Sequence, residues 1–206
     1  MEAKSDWKRV VEFHGHACPG LAIGYRVAKA ALRELSGRRA EDEELVAIVE
    51  NDACGVDAIQ VLTGCTIGKG NLIYRDYGKH VFTFGCRRTG KALRISVKGS
   101  VWQRRDPEEE AEYRRLRAKV FGGEATEEEK ARFYSFQQRK TEEILSLPEE
   151  ELFNMQWVDM ELPPRARIFN SVTCAFCGEP VAEVRARIRE GKPACIPCSL
   201  EYSRGW

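Results

Sequence analysis

The sequence predicts an α+β fold: an antiparallel or mixed sheet packed with helices, then a helical segment and a small C-terminal four-cysteine zinc finger. Three observations carry that expectation. Apolar residues recur at helical spacing between Gly20 and Leu35, short β-rich runs separated by glycine-containing connections follow, and the tail has the form C-x2-C-x17-C-x2-C. Two domains are expected: residues 1–155, with a helical extension at about 104–150, and residues 156–206.

Taken in order, Leu21, Val27, Ala28, Ala31, Leu32 and Leu35 form one helical stripe that is expected to stop at Ser36-Gly37. Leu45-Val-Ala-Ile-Val-Glu50 reads as a buried strand, and Ala58-Ile-Gln-Val-Leu62 as a short helix after it. Past the glycine-rich turn Gly64–Gly70, strands are expected over Asn71–Tyr77, Val81–Cys86 and Ala92–Val97. Gly78-Lys-His80 and Thr89-Gly-Lys91 read as hairpin connections, so this part of the sheet should be antiparallel. From Asp106 to about Ser146 the chain is charged and helix-favouring. Gly122-Gly123 breaks it, and Thr126-Glu-Glu-Glu129 restarts it with an N-cap and an acidic first turn. Such a charged helical pair reads as a solvated face or spacer. Pro163-Pro164 marks the entry to the tail.

Composition excludes several function classes. With 33 Lys+Arg against 32 Asp+Glu, the net charge of +1 gives no electrostatic case for nucleic-acid or membrane partners. No apolar run approaches the roughly 18–20 residues of a membrane span, and Met1-Glu-Ala-Lys-Ser-Asp-Trp lacks an apolar leader, so a cytoplasmic location is expected. Eight cysteines in such a chain point to metal or redox chemistry rather than disulfides. They divide into two groups, and two different jobs are implied.

The tail group comprises Cys174, Cys177, Cys195 and Cys198. Two residues between cysteines let one backbone turn aim both thiolates at one ion, and Gly178 permits the tight knuckle. Four thiolates leave zinc no vacant position, so the site is expected to be structural and to supply much of a small module's folding energy. With Arg185 and Arg187 between the pairs and a possible final helix from Ser199, this tail resembles the zinc finger of the DksA/TraR type. That resemblance covers the tail alone.

The other group centres on Phe13-His14-Gly-His16-Ala-Cys18-Pro-Gly20. In an extended loop, residues i, i+2 and i+4 share one side, so His14, His16 and Cys18 could converge on one ion or substrate. If Pro19 opens a helix, Cys18 is its N-cap, and the exposed N–H groups should lower its thiol pKa. Cys54 follows a strand, Cys65 precedes a glycine-rich turn, and either could complete the site; Asp52 could orient a histidine or ligate metal. Cys86 and His80 are weaker candidates. Gly64-x3-Gly68-Lys69-Gly70-Asn71 lacks the spacing and the Ser/Thr of a Walker A loop. His14 and Cys18 lie too close in sequence to identify a protease pair, and no third orienting residue is evident.

Three strings occur in order: Phe-His-Gly-His-Ala-Cys-Pro-Gly at 13–20, Glu-Asn-Asp-Ala-Cys-Gly-Val-Asp-Ala-Ile-Gln at 50–60 and Thr-Gly-Cys-Thr-Ile-Gly-Lys-Gly-Asn-Leu at 63–72. Together they resemble the FmdE family, named for its association with formylmethanofuran dehydrogenase, over roughly residues 10–100. The resemblance implies an α+β core, homodimerisation, and a metal-associated cleft built from His14, His16, Cys18, Asp52, Cys54 and Cys65. It also implies an accessory role to molybdenum or tungsten enzymes of one-carbon metabolism, with such an enzyme as partner.

The functional expectation is therefore a cytoplasmic metalloprotein with zinc in the finger and a second transition metal (Zn, Ni, Fe or Cu) or a reactive thiol in the cleft. His16, Cys18 and Cys54 are the candidate catalytic residues. Mixed imidazole and thiolate donors suit those ions better than Mg or Ca. Two rivals belong to other classes: a zinc-finger regulatory or docking protein that senses metal or redox state, and a stand-alone metal-dependent hydrolase or oxidoreductase.

Overall fold

The computed structural model describes residues 3–35, 38–102 and 106–199. It divides into a unit of residues 1–165 and a unit of residues 166–206. The expected helix stop at Ser36-Gly37, the first residues of the helical extension and the final helix beyond Ser199 lie outside the described residues.

The chain opens with a helix that the sequence reading did not anticipate, α1 (Ala3–His14), followed by α2 (Pro19–Leu35), β1 (Leu45–Val49) and α3 (Gly55–Thr63). Three strands come next, β2 (Leu72–Tyr74), β3 (Val81–Cys86) and β4 (Ala92–Val97), matching the three expected runs with the first one shortened. The helical segment is α4 (Pro107–Gly122) and α5 (Glu127–Ser146), then one turn, α6 (Glu149–Leu152), leads into β5 (Phe153–Val158). The sheet order is β2-β1-β3-β4-β5.

The sheet is mixed, and the expected antiparallel pairing fails at one strand. β2 runs parallel to β1, with Ala47 opposite Leu72 and Val49 opposite Tyr74, while β3 pairs antiparallel on the other side of β1. The cause is the return path from α3. Asn71 is fully buried and its amide donates to the Asp42 and Leu45 carbonyls, fixing the chain at the start of β1 before β2 begins. Gly78-Lys-His80 is thus a loop between strands that are not neighbours, whereas Thr89-Gly-Lys91 does lie in a hairpin, β3–β4.

β5 was also not anticipated. It completes the sheet beside β4, so the first unit runs to Arg165 instead of ending at residue 155. The segment after it covers β3. A side chain at Gly85 would lie 2.1 Å from Leu162 and 3.2 Å from Met160, so glycine leaves room for those residues over the strand.

The core forms where α2, α3 and α5 meet the sheet: Leu21, Val27, Ile59, Phe82, Ile95 and Ile144 are all buried. α5 is more than the expected spacer, because Arg26 donates to the Ile144 and Leu145 carbonyls at 2.9 Å and ties its end to α2. Its outer half packs with α4 around Leu116, Phe133 and Phe136. Both helices start as the sequence implies: Asp106 caps α4, and Thr126 and Glu129 form a reciprocal capping box on α5.

One crossing places the functional residues. At Gly24 a Cβ would lie 2.1 Å from the Gly55 carbonyl oxygen, and at Gly55 one would lie 3.1 Å from the Gly20 carbonyl oxygen, so glycines let the starts of α2 and α3 touch backbone to backbone. Gly24→Ala is expected to lower stability by about 1–3 kcal/mol through overpacking, read as a fall in the urea midpoint.

The second unit is two short hairpins, β6 (Ser171–Thr173) with β7 (Pro180–Ala182) and β8 (Arg187–Arg189) with β9 (Lys192–Ala194). The Ala175 N–H donates to the Pro193 carbonyl at 2.9 Å and links them. No described helix is long and apolar enough to cross a membrane.

Candidate metal centres

In the second unit, Cys174 and Cys177 occupy the β6–β7 turn, and Cys195 and Cys198 follow β9. The four sulfurs lie within 4.8 Å of one another. Cys177 and Cys195 are separated by 3.8 Å, which equals the edge of about 3.8 Å for a tetrahedron with metal–sulfur bonds of about 2.3 Å. The knuckle is closed by the Gly178 N–H donating to the Cys174 carbonyl at 3.0 Å, with Gly178 at φ +77°. The N–H groups of Cys195, Cys177 and Phe176 converge on the Cys174 sulfur and bring its pKa down to about 6. Crowding by the Cys195 and Cys177 thiols instead drives Cys198 up to about 12. The donor set fits a thiophilic divalent ion such as zinc, which would take all four sulfurs as thiolates.

In the first unit, the structure brings His14, His16 and Cys18 together, with one donor atom from each within 4.8 Å of the others. The convergence does not come from an extended loop. His14 ends α1, Gly15 reverses the chain at φ +94°, and Cys18 caps α2, its carbonyl accepting from the Ala22 N–H and its sulfur from the Leu21 N–H at 3.4 Å. The two imidazoles face each other with ring centres 4.6 Å apart.

His14 is held by a residue that the sequence reading did not single out. Its Nδ1–H donates to Asp57 Oδ2 at 2.7 Å, which leaves the Nε2 lone pair directed toward Cys18 Sγ at 3.9 Å. A carboxylate behind an imidazole fixes its tautomer and ring plane, as is usual behind metal-binding histidines. The 3.9 Å separation is close to the roughly 3.6 Å expected between a nitrogen and a sulfur on one tetrahedral ion. His14, His16 and Cys18 therefore fit a three-donor site with an open coordination position.

The cap does not lower the Cys18 thiol as expected. Burial raises it, the Leu21 N–H opposes this only in part, and the neighbouring Cys54 adds to the rise, leaving a value of about 11. A metal bound there would have to displace a thiol proton.

Cys54 sits immediately before α3 and against the first turn of α2, where a Cβ on Gly20 would lie 3.4 Å from its own Cβ. With His14, Asp52 and Asp57 it lines an open cleft of about 380 Å³, whose lining also includes Val56 and Leu72. Asp52 is an exposed wall residue, and no hydrogen bond joins it to either imidazole among the described residues. Cys65 lies beyond the other end of α3, fully buried, with burial pushing its thiol up to about 11. Cys86 is buried at the end of β3 beside Arg38, Arg39 and Arg88, and His80 lies against Trp102 with the two rings tilted. The structure does not gather Cys65, Cys86 or His80 at the three-donor cluster.

A family model described as FmdE, molybdenum formylmethanofuran dehydrogenase operon, matches residues 13–154. The chain belongs to the FmdE family. That match includes His14, His16, Cys18, Cys54 and Asp57, and the four-cysteine unit lies outside it. The FmdE chain is 33% identical over 198 residues to a probable S-adenosyl-L-methionine-binding protein of Archaeoglobus fulgidus. The match covers 94% of this chain but 52% of that protein, so the chain spans about half the length of its curated relative. A tungsten formylmethanofuran dehydrogenase FmdE-like protein from Syntrophus aciditrophicus shares the fold, with a TM-score of 0.60 at 21% identity. The alignment covers 95% of this chain and 90% of that one.

Proposed function

We propose that this FmdE-family protein is a two-site metalloprotein in which the finger holds structural zinc and His14, His16 and Cys18 hold a second, exchangeable transition ion at the mouth of the cleft. The observation that carries the second site is the Asp57–His14–Cys18 line, with Asp57 2.7 Å behind one ring nitrogen and the other nitrogen turned to the thiol. Asp57 orients His14, Gly15 turns His16 beside it, and the start of α2 supplies Cys18. Zn, Ni, Fe or Cu suits these donors. The ion would supply Lewis-acid or metal-transfer chemistry there, while the cleft residues select what reaches it.

The family description supports an accessory role to molybdenum or tungsten enzymes of one-carbon metabolism. In that role the chain would work as a cytoplasmic homodimer beside such an enzyme.

Metal content of the native-purified full chain tests this. Two equivalents are expected in the wild type and one in the His16→Ala/Cys18→Ala variant, whose finger cysteines are intact. One equivalent in both would remove the core site and favour the docking or sensing reading.

A further inference from the structure

Cys18 and Cys54 are 36 positions apart in sequence, yet the glycine crossing of α2 and α3 holds both thiols at the starts of touching helices. Cys54 packs on the first turn of α2, where a Gly20 Cβ would meet its Cβ at 3.4 Å and its Sγ at 3.9 Å, two residues past Cys18, and its thiol contributes to the rise of the Cys18 thiol. Both are partly exposed, in contrast to the buried Cys65 and Cys86. Cys54 also opens onto the cleft of about 380 Å³, which gives a small oxidant a route to the pair.

We propose that Cys18 and Cys54 are a reversible dithiol/disulfide pair, oxidised by a small-molecule disulfide and switching Cys18 out of the donor set of the core metal site. The loss of metal rests on the two-site reading above; the thiol chemistry itself does not.

The steps balance. Cys54, at the cleft wall, loses its proton and attacks one sulfur of the oxidant RSSR, forming a Cys54–SR mixed disulfide and releasing RSH. Cys18 then loses its proton and attacks the Cys54 sulfur, forming the Cys18–Cys54 bond and releasing the second RSH. Two electrons pass from the protein to RSSR, and an external thiol reverses both steps. Close packing favours the second step, because the two chain segments are already fixed side by side and little further ordering is needed to reach disulfide geometry. In the disulfide, Cys18 no longer offers a thiolate, and His14 and His16 alone make a poor site.

The test treats the full chain, metal-free and metal-loaded, with oxidised glutathione, blocks free thiols with iodoacetamide and maps the peptides by mass spectrometry. The expected result is a Cys18–Cys54 link in the metal-free chain, reversed by dithiothreitol, with Cys65 and Cys86 unlinked. In the loaded chain the same link should appear as one metal equivalent is released. Cys54→Ser should abolish the link and keep that equivalent bound under the same treatment. A stable glutathione adduct on either residue without the link, or links to finger cysteines only, would overturn the proposal. A Cys18–Cys54 link in a chain that never held a second metal would support the dithiol and defeat the two-site reading, so the two failures are distinct.

Discussion

Chelation of metal from the full chain is expected to unfold the four-cysteine unit while leaving the five-stranded sheet folded. The two hairpins of that unit contain strands of three residues each. Among its described residues only Cys174 and Ala194 are buried apolar side chains. So small a core cannot offset the chain entropy of ordering the unit, and metal binding to four thiolates, worth about 10 kcal/mol or more at neutral pH, must supply the difference. Amide exchange would show this as loss of protection at Cys174, Ala175 and Gly178, whose N–H groups close the knuckle and link the hairpins, with protection in β1 and β3 retained. Cys195→Ser should have the same effect without a chelator. Persistent protection in the metal-free unit would contradict it.

Removing the charge behind His14 should produce the other large effect. Asp57→Asn keeps the size of the side chain but weakens the hold on Nδ1, and it is expected to lower affinity at the core site by about 10–100-fold. Competition with a chromophoric chelator reads the change, and finger occupancy is the internal control. Asp52→Asn is expected to do much less, because Asp52 lines the cleft without a hydrogen bond to either imidazole among the described residues. Equal losses in both variants would mean that general negative charge, not orientation of the ring, governs the site.

The contrast between those two carboxylates shows what could be read in advance. The finger was legible because its chemistry is local: each cysteine pair spans one turn, and spacing alone brings the sulfurs together. The cluster of His14, His16 and Cys18 was legible for the same reason, although the chain presents it at a helix end and not along an extended loop. Asp57 was not, because it meets His14 across 43 residues, where α3 packs against α1. Cys65 illustrates the converse. It sits close to Cys54 in sequence, but the intervening helix of nine residues, roughly 13 Å long, carries it to the far end.

The fold shows the same division. α2, β3, β4 and the capped pair α4 and α5 follow from period, turn residues and caps. The parallel placement of β2 depends on buried Asn71 bonding to the start of β1, a tertiary decision. β5 carried its signal in the alternation Phe153-Asn-Met-Gln-Trp157, and α1 in the stripe Trp7, Val10 and Val11. Both are short segments beside charged stretches, where that signal is weak.

Cobalt titration of the full chain carrying a single zinc equivalent, held by the four finger thiolates, tests the central claim most directly, since Co(II) reports its donors through thiolate charge-transfer and d–d bands. The two-site account requires one further equivalent to bind while the finger zinc stays in place, with a charge-transfer intensity of a single thiolate that disappears in Cys18→Ser. Absorption that appears only as zinc is displaced, with the stronger signature of four thiolates, would contradict the core metal site.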